Sequence, residues 1–288
     1  MTNPTVADVV SAAARRLAAR GSSTPRLDAE VLLRHVLGLD RTRFFLRLRD
    51  PVSASERAAF AGLLDRRLAG EPVAYLTGGR EFMGLPLATR ASALVPRPET
   101  EGLVEWALAR LATMPNATVV DVGTGTGAIA LAIAANLTNR SECGIRVVAC
   151  DISGDALALA AENRSRHDMD PRVALLRGNL LTWCAGPIDL VLANLPYLRP
   201  DQVTGNPDLR AEPMLALLGG ADGLDPIRRL IADLPRVLAP SGAVALEIDP
   251  SQADTVGGLL ATALPDADVS IRPDFAGHPR VAVAARPR

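Results

Sequence analysis

Apolar positions give the chain two textures. Over the first 70 residues they recur at helical spacing. VADVVSAAARRLAAR (6–20) carries one apolar stripe and stops at Gly21. TPRLDAEVLLRHVLGL (24–39) puts Pro25 in a first helical turn, with Leu27, Val31, Leu32 and His35 sharing a face. SASERAAFAGLLDRRLAG (53–70) opens on Ser53 or Ser55 as cap and closes on Gly70. Such helices bury one another's stripes as a small bundle.

The stretch EPVAYLTGGREFMGLPLATRASALVPRPET (71–100) is rich in Gly and Pro and holds short extended runs, which predicts a hairpin bridging two domains. Pro98 then starts a helix with Leu103, Ala107, Leu108 and Leu111 on one side. After residue 116 strands and helices alternate. Strands are predicted at TVVDVG, RVVACD, VALLRG, IDLVLAN, AVALEID and RVAVAA, and helices over 126–137, 154–166, 224–238 and 251–263. Strands that read as near-continuous apolar runs between helices imply a parallel sheet covered on both faces. The domains expected are therefore a helical unit over 1–72, a hairpin linker over 73–97 and an α/β unit over 98–288. Ligands of such sheets sit beyond the carboxyl ends of the strands.

Composition narrows the classes. A hydrophobic content of 48% supplies a packed core, and all 31 basic residues are arginine. The net charge of −1 is no match for nucleic acid. Residues 1–90 hold 14 arginines against 9 acids, whereas 91–288 hold 17 against 23, so the front is basic and the rest acidic. Cys143, Cys150 and Cys184 form no CxxC pair, and His35, His167 and His278 lack the spacing of a metal site, so neither a disulfide framework nor a metal is expected. The first residues lack a basic-then-apolar leader, and the longest apolar run, AIALAIAANL, is shorter than the roughly 20 residues that span a bilayer. A soluble cytoplasmic protein is expected.

Two strand ends carry the candidate chemistry. The first runs into DVGTGTGAIALAIA, where Gly123, Gly125 and Gly127 alternate and let backbone approach a ligand. The next strand ends on Asp151, a carboxylate placed to accept from ribose hydroxyls. Dinucleotide sites use GxGxxG, and a P-loop needs a lysine that this chain lacks. The pattern D-x-G-x-G-x-G, with Asp121 ahead of the glycines and Thr124 between them, is the usual form for S-adenosyl-L-methionine. An ordinary glycine-rich turn is the alternative.

The second is NLPY, Asn194 to Tyr197, at the exit of IDLVLA. An amide nitrogen is a poor nucleophile because its lone pair is delocalised. Two acceptors, one per N–H, hold an NH₂ group with that lone pair aimed at a methyl carbon. The Asn194 side chain and the Leu195 carbonyl supply them, Pro196 fixes the turn, and Tyr197 offers a face for a planar group. A plain turn, with Asn194 capping its own backbone, is the competing reading.

NLPY resembles the (N/D/S)PPY motif of amino-methyltransferases, with Leu195 in place of the first proline. The NLPY form also occurs in ribosomal RNA adenine dimethylases, which keeps an adenine-N6 methyltransferase of RNA or DNA open. A module that binds the donor without turnover is a third possibility, opposed by the intact Asn194 and Tyr197. EPVAYLTGGREFMGLPL followed by VPRPETE (95–101), with EPMLALLGGADGLDPIRRLI, LEID and AGHPRVAVA, resembles the protein-(glutamine-N5) methyltransferases that act on peptide chain release factors, the PrmC/HemK family.

That resemblance implies a seven-stranded, Rossmann-like α/β methyltransferase domain behind a small helical docking domain. It implies S-adenosyl-L-methionine as cofactor and the GGQ glutamine of class I release factors as acceptor. Family residues map to the glycine loop, Asp151 and Asn194–Tyr197, with Asn179 and Leu180 where the family commonly carries an Asp-containing turn beside adenine. Arg97 and Glu99 either shape the site beside the cofactor or form an ion pair at a helix start. In LDRTRFFLRLRDP, Arg41, Arg43, Arg47 and Arg49 surround apolar residues and either steer the partner or cover the bundle with their stems. A monomer without stable nucleic-acid binding is expected.

Overall fold

Capping side chains decide where the first helices begin. Thr5 accepts the Asp8 amide and Asp8 accepts the Thr5 amide, a reciprocal box that opens α1 (Val6–Ala19). Pro25 sits in the first turn of α2 (Pro25–Leu37), which ends on Gly38 in the left-handed conformation. Asp40 caps α3 (Arg41–Leu46). Ser53 and Glu56 form a second reciprocal box at α4 (Ala54–Leu68), each such cap contributing about 1 kcal/mol. The short α5 (Val73–Thr77) follows.

The computed structural model describes residues 3–137, 144–274 and 276–287. Their contacts fall into two units. One is the chain up to Gly78 together with Asn206–Ala211; the other is Gly79–Gly205 and Glu212 onward. The stretch 73–97, expected to be a linker, divides at Gly78, with α5 in the first unit and the hairpin in the second.

The helical unit packs Val6, Val10, Leu17, Leu32, Leu33, Phe44, Phe60 and Leu64 into one core. On α2 the buried face is Ala29, Leu32 and Leu33, whereas Leu27 and His35 are exposed, which corrects the stripe expected from sequence. The arc is rotated because Asp28 is turned inward. There it accepts Arg67 Nε at 2.8 Å, and Arg67 also donates to Asp208 at 2.8 Å, so its buried guanidinium holds two carboxylates.

The second unit opens with a hairpin, β1 (Gly79–Phe82) and β2 (Leu85–Ala88), and α6 (Glu101–Leu111) follows a 3₁₀ turn at Pro98–Thr100. Then come β3 (Asn116–Val122), α7 (Ala128–Asn136), β4 (Gly144–Asp151), α8 (Gly154–Arg166), β5 (Val173–Arg177) and β6 (Ile188–Ala193). Two short helices, α9 (Pro200–Gly205) and α10 (Met214–Leu217), precede α11 (Asp225–Val237), β7 (Leu238–Glu247), α12 (Ala253–Ala263), β8 (Asp268–Pro273) and β9 (Pro279–Ala285).

The seven-stranded sheet runs β5-β4-β3-β6-β7-β9-β8. Strands β3 to β7 are mutually parallel, and β9 runs antiparallel to β7 and β8. Alternation along each strand sends neighbours to opposite faces. Val119, Leu190, Leu192 and Ala245 join one core with Leu103 and Leu111 of α6 and the wholly buried Ala128–Ala134 of α7. Val120, Val122, Val191 and Val244 join the other with Ile227, Leu230 and Leu234 of α11 and Leu260 of α12. An all-apolar helix such as α7 belongs inside a molecule, as found.

The chain order turns back at β3, which has β4 on one side and β6 on the other, so the ligand crevice of such a sheet falls where Gly123 and Asn194 leave their strands. Cys150 and Cys184 are free thiols; Cys143 lies outside the described residues. Among the described residues no helix is long and apolar enough to cross a membrane.

Candidate active site

The ends of β3, β4 and β6 open into a cavity of about 260 Å³. Its lining includes Gly123, Thr124 and Gly125, then Asp151 and Ile152, then Gly178, Asn179 and Leu180, and finally Asn194, Leu195 and Pro196. Segments 92–97 and 213–218 supply further wall.

The glycine loop is held by backbone bonds. The Gly123 and Thr124 amides both donate to the Cys150 carbonyl, at 2.9 and 3.0 Å. Gly125, at φ +57, takes a conformation that a side chain would disfavour, and its amide donates to Asp151 Oδ2 at 2.9 Å. Asp151 Oδ1 accepts the Ser153 amide at 2.9 Å. Each carboxylate oxygen keeps a further lone pair, so Asp151 has capacity for two hydroxyl donors.

Asp121 does not line the cavity, contrary to its expected place among the ligand contacts. It is fully buried beneath the loop, where Oδ2 accepts the Thr124 hydroxyl at 2.5 Å and the Ala130 amide at 3.2 Å. Oδ1 has no partner among the described residues, and burial pushes the carboxyl up to about 7. Asp121 therefore shapes the loop from below. Gly127 also stands behind the wall, packed near Leu131 and Ala160.

Asn179 and Leu180 line the cavity after β5. The Asn179 Oδ1 accepts from Arg229 Nη2 at 3.2 Å, a wall residue the sequence did not single out. Leu180 sits at φ +51, a strained setting for a leucine that is held by Trp183 Nε1 donating to its carbonyl at 2.8 Å.

At the β6 end, Asn194 donates from Nδ2 to Thr100 Oγ1 at 3.0 Å. Thr100 in turn donates to Glu247 Oε2 at 2.5 Å. The Asn194 Oδ1 and the Leu195 carbonyl take no hydrogen bond within the described residues. The loop has backbone support: Gln252 Nε2 donates to the Tyr197 and Gly223 carbonyls at 3.1 and 3.2 Å, and Leu198 exchanges bonds with Leu217 and Gly219.

Tyr197 does not line the cavity. Its ring packs into the core behind the loop, and its hydroxyl donates to Glu247 Oε1 at 3.2 Å. Burial pushes that phenol well above its usual range. The stacking face expected from sequence is thus turned inward. Arg97 lines the cavity but is ion-paired to Glu212, whose Oε2 also accepts the Val95 amide at 3.0 Å. Glu99 points elsewhere, into a separate cleft beside Trp106 and Arg280. Neither half of the expected Arg97–Glu99 pair therefore contacts the other.

Sequence reasoning missed Thr100, Glu212, Glu247 and Gln252. The first three sit in PRPETE, EPMLALL and LEID, which stand out only as motifs, and Gln252 sits in no motif; nothing local says that residues up to 147 positions apart meet.

The arrangement can seat a nucleoside-bearing group along β3 and β4 and offer two acceptors to an NH₂ group at β6. The glycine cradle, the free capacity of Asp151 and the apolar wall of Leu180 and Ile152 fit S-adenosyl-L-methionine.

Comparison with known proteins agrees with the fold. Residues 8–78 match a family model described as the PrmC N-terminal domain, and 114–248 match one described as a methyltransferase domain. A release factor glutamine methyltransferase of Deinococcus radiodurans is 42% identical over 280 residues, covering 97% of this chain and 98% of its own. One from Moorella thermoacetica is 40% identical, covering 98% and 99%. The 16S rRNA N2 G1207 methyltransferase of T. thermophilus, solved with AdoMet and guanosine, is 17% identical, with a TM-score of 0.51 over 73% of this chain and 50% of that one, a likeness of fold alone. With relatives this similar along nearly its full length, the chain belongs to the release factor glutamine methyltransferase family.

Proposed function

We propose that this chain methylates the side-chain amide nitrogen, N5, of the glutamine in the GGQ motif of class I peptide chain release factors, with S-adenosyl-L-methionine as donor. The observation that carries the reading is the pose of Asn194: its NH₂ end is tied to Thr100, and its oxygen, beside the free Leu195 carbonyl, is left as an acceptor at the cavity wall.

The donor, when bound, supplies a methyl group on a positively charged sulfur. Asp151 would accept its ribose hydroxyls, the backbone of Gly123–Gly125 would give it close approach, and Asn179 and Leu180 would hold its base. Asn194 Oδ1 and the Leu195 carbonyl each accept one N–H of the glutamine, which turns the nitrogen lone pair toward the methyl carbon. No strong base is needed, because the proton leaves once the nitrogen has become cationic. Pro196 and the half-buried Tyr197 keep the loop in this shape. The helical unit docks the release factor, and the enzyme works as a cytoplasmic monomer.

The test uses methyl-labelled donor with a class I release factor. Asn194→Ala should lose roughly 100-fold in turnover while cofactor binding persists. Wild-type turnover in that variant would overturn the reading. Binding of cofactor by the wild type with no label on the factor would transfer the assignment to a nucleic-acid acceptor.

A further inference from the structure

An asparagine amide presents nearly the same shape when its oxygen and nitrogen are exchanged, yet the two poses are chemically opposite. With the oxygen outward Asn194 attracts an NH₂ group; with the nitrogen outward it repels one. Something in the fold must select the pose.

The selection can be followed proton by proton. Glu247 ends β7 with its side chain buried. As a carboxylate it only accepts, and its two oxygens take the hydroxyl protons of Thr100 at 2.5 Å and Tyr197 at 3.2 Å. Thr100, itself buried, has one hydroxyl proton, and that proton is committed to Glu247. Toward Asn194 it can therefore offer only a lone pair. The Asn194 NH₂ must occupy that place, 3.0 Å away, and Oδ1 is left for the ligand. A neutral or amide side chain at 247 could donate to Thr100 instead, which would let the Thr100 proton turn toward Asn194 and reverse its amide.

We propose that Glu247 and Thr100 are positioning residues that lock the Asn194 amide with Oδ1 as the acceptor offered to the substrate. This rests on the glutamine-methylation reading and deepens it: specificity for an NH₂ donor is set by a carboxylate that does not line the cavity.

The experiment compares Thr100→Val, Thr100→Ser and Glu247→Gln with the wild-type chain, after thermal melts confirm that each folds. Thr100→Val keeps the volume and removes the acceptor; it should lower kcat by about 10–100-fold, with cofactor Kd and KM for the release factor within about twofold. Thr100→Ser should recover most of that loss, and Glu247→Gln should resemble Thr100→Val. Wild-type kcat in both Thr100→Val and Glu247→Gln would overturn the proposal, as would an equal loss in Thr100→Ser.

A second measurement needs no protein substrate. In NMR spectra of the free chain, the Asn194 side-chain NH₂ should show cross-peaks to the Thr100 methyl that are lost in Glu247→Gln. If the wild type leaves the release factor unlabelled, the glutamine reading fails, and this NMR comparison still decides the locking. Unchanged cross-peaks in Glu247→Gln would refute it.

Discussion

A Cβ placed on Gly223 would lie 2.2 Å from the carbonyl oxygen of Tyr197. Gly223 also holds φ +80, so the backbone behind NLPY tolerates nothing larger than glycine there. Gly223→Ala should displace the loop, lowering kcat by more than about tenfold and stability by about 1–3 kcal/mol. Gly62→Ala, in mid-helix with open space around it, should instead stabilise by about 0.5–1 kcal/mol. Thermal melts and turnover of the two variants check both.

Asp151 binds two loop amides and lines the cavity. Asp151→Ala should weaken cofactor binding by about 10–100-fold, the scale of lost hydrogen bonds to a charged group. Calorimetric titration with S-adenosyl-L-methionine reads this directly. KM for the release factor at saturating cofactor should change little.

Asp121 gives a pH signature. Burial raises its pKa from 3.8 to about 7 in the folded chain. Between those values the folded state holds a proton that the unfolded state has released, so stability from this group falls as pH rises from about 4 to about 7 and is level above. At 1.36 kcal/mol per unit the span is as much as roughly 4 kcal/mol. Asp121→Asn should flatten that part of the profile, as urea melts across the range would show. Glu212 and Glu247, also pushed up by burial, leave a residual slope of the same sign.

On α3 the arginine-rich stretch divides in two. Phe44 is buried, whereas Phe45 and Leu46 are exposed among Arg41, Arg43 and Arg47. If this surface docks the release factor, Arg43→Glu with Arg47→Glu should raise KM for the factor several-fold and leave cofactor Kd unchanged. Steady-state kinetics with both ligands varied would separate the two constants.

Much of this was legible in the chain because it is local. A buried parallel strand is an apolar run, so β3, β4, β6 and β7 announced themselves, and with them the positions of Gly123, Asp151 and Asn194 at their ends. β8 gives no such signal: as an edge strand it has the half-exposed sequence DVSIRP, with no apolar run. The α2 stripe is not legible because Asp28, polar by type, faces inward to meet Arg67.

Burial direction was likewise invisible for Tyr197 and Asp121. A motif fixes which residues adjoin a strand end, but not which of them turns back into the core. Glu247, which meets Tyr197, is a motif letter without a role in the sequence, and Thr124, which meets Asp121, reads there only as a cofactor-loop residue.

The most direct test of the account is transfer of methyl label to a class I release factor, run beside the same factor with its GGQ glutamine replaced. Label on the intact factor, located by fragmentation mass spectrometry on that glutamine side chain and absent from the altered factor, is the result predicted. Equal labelling of both factors, or label on neither while cofactor binds, would contradict it.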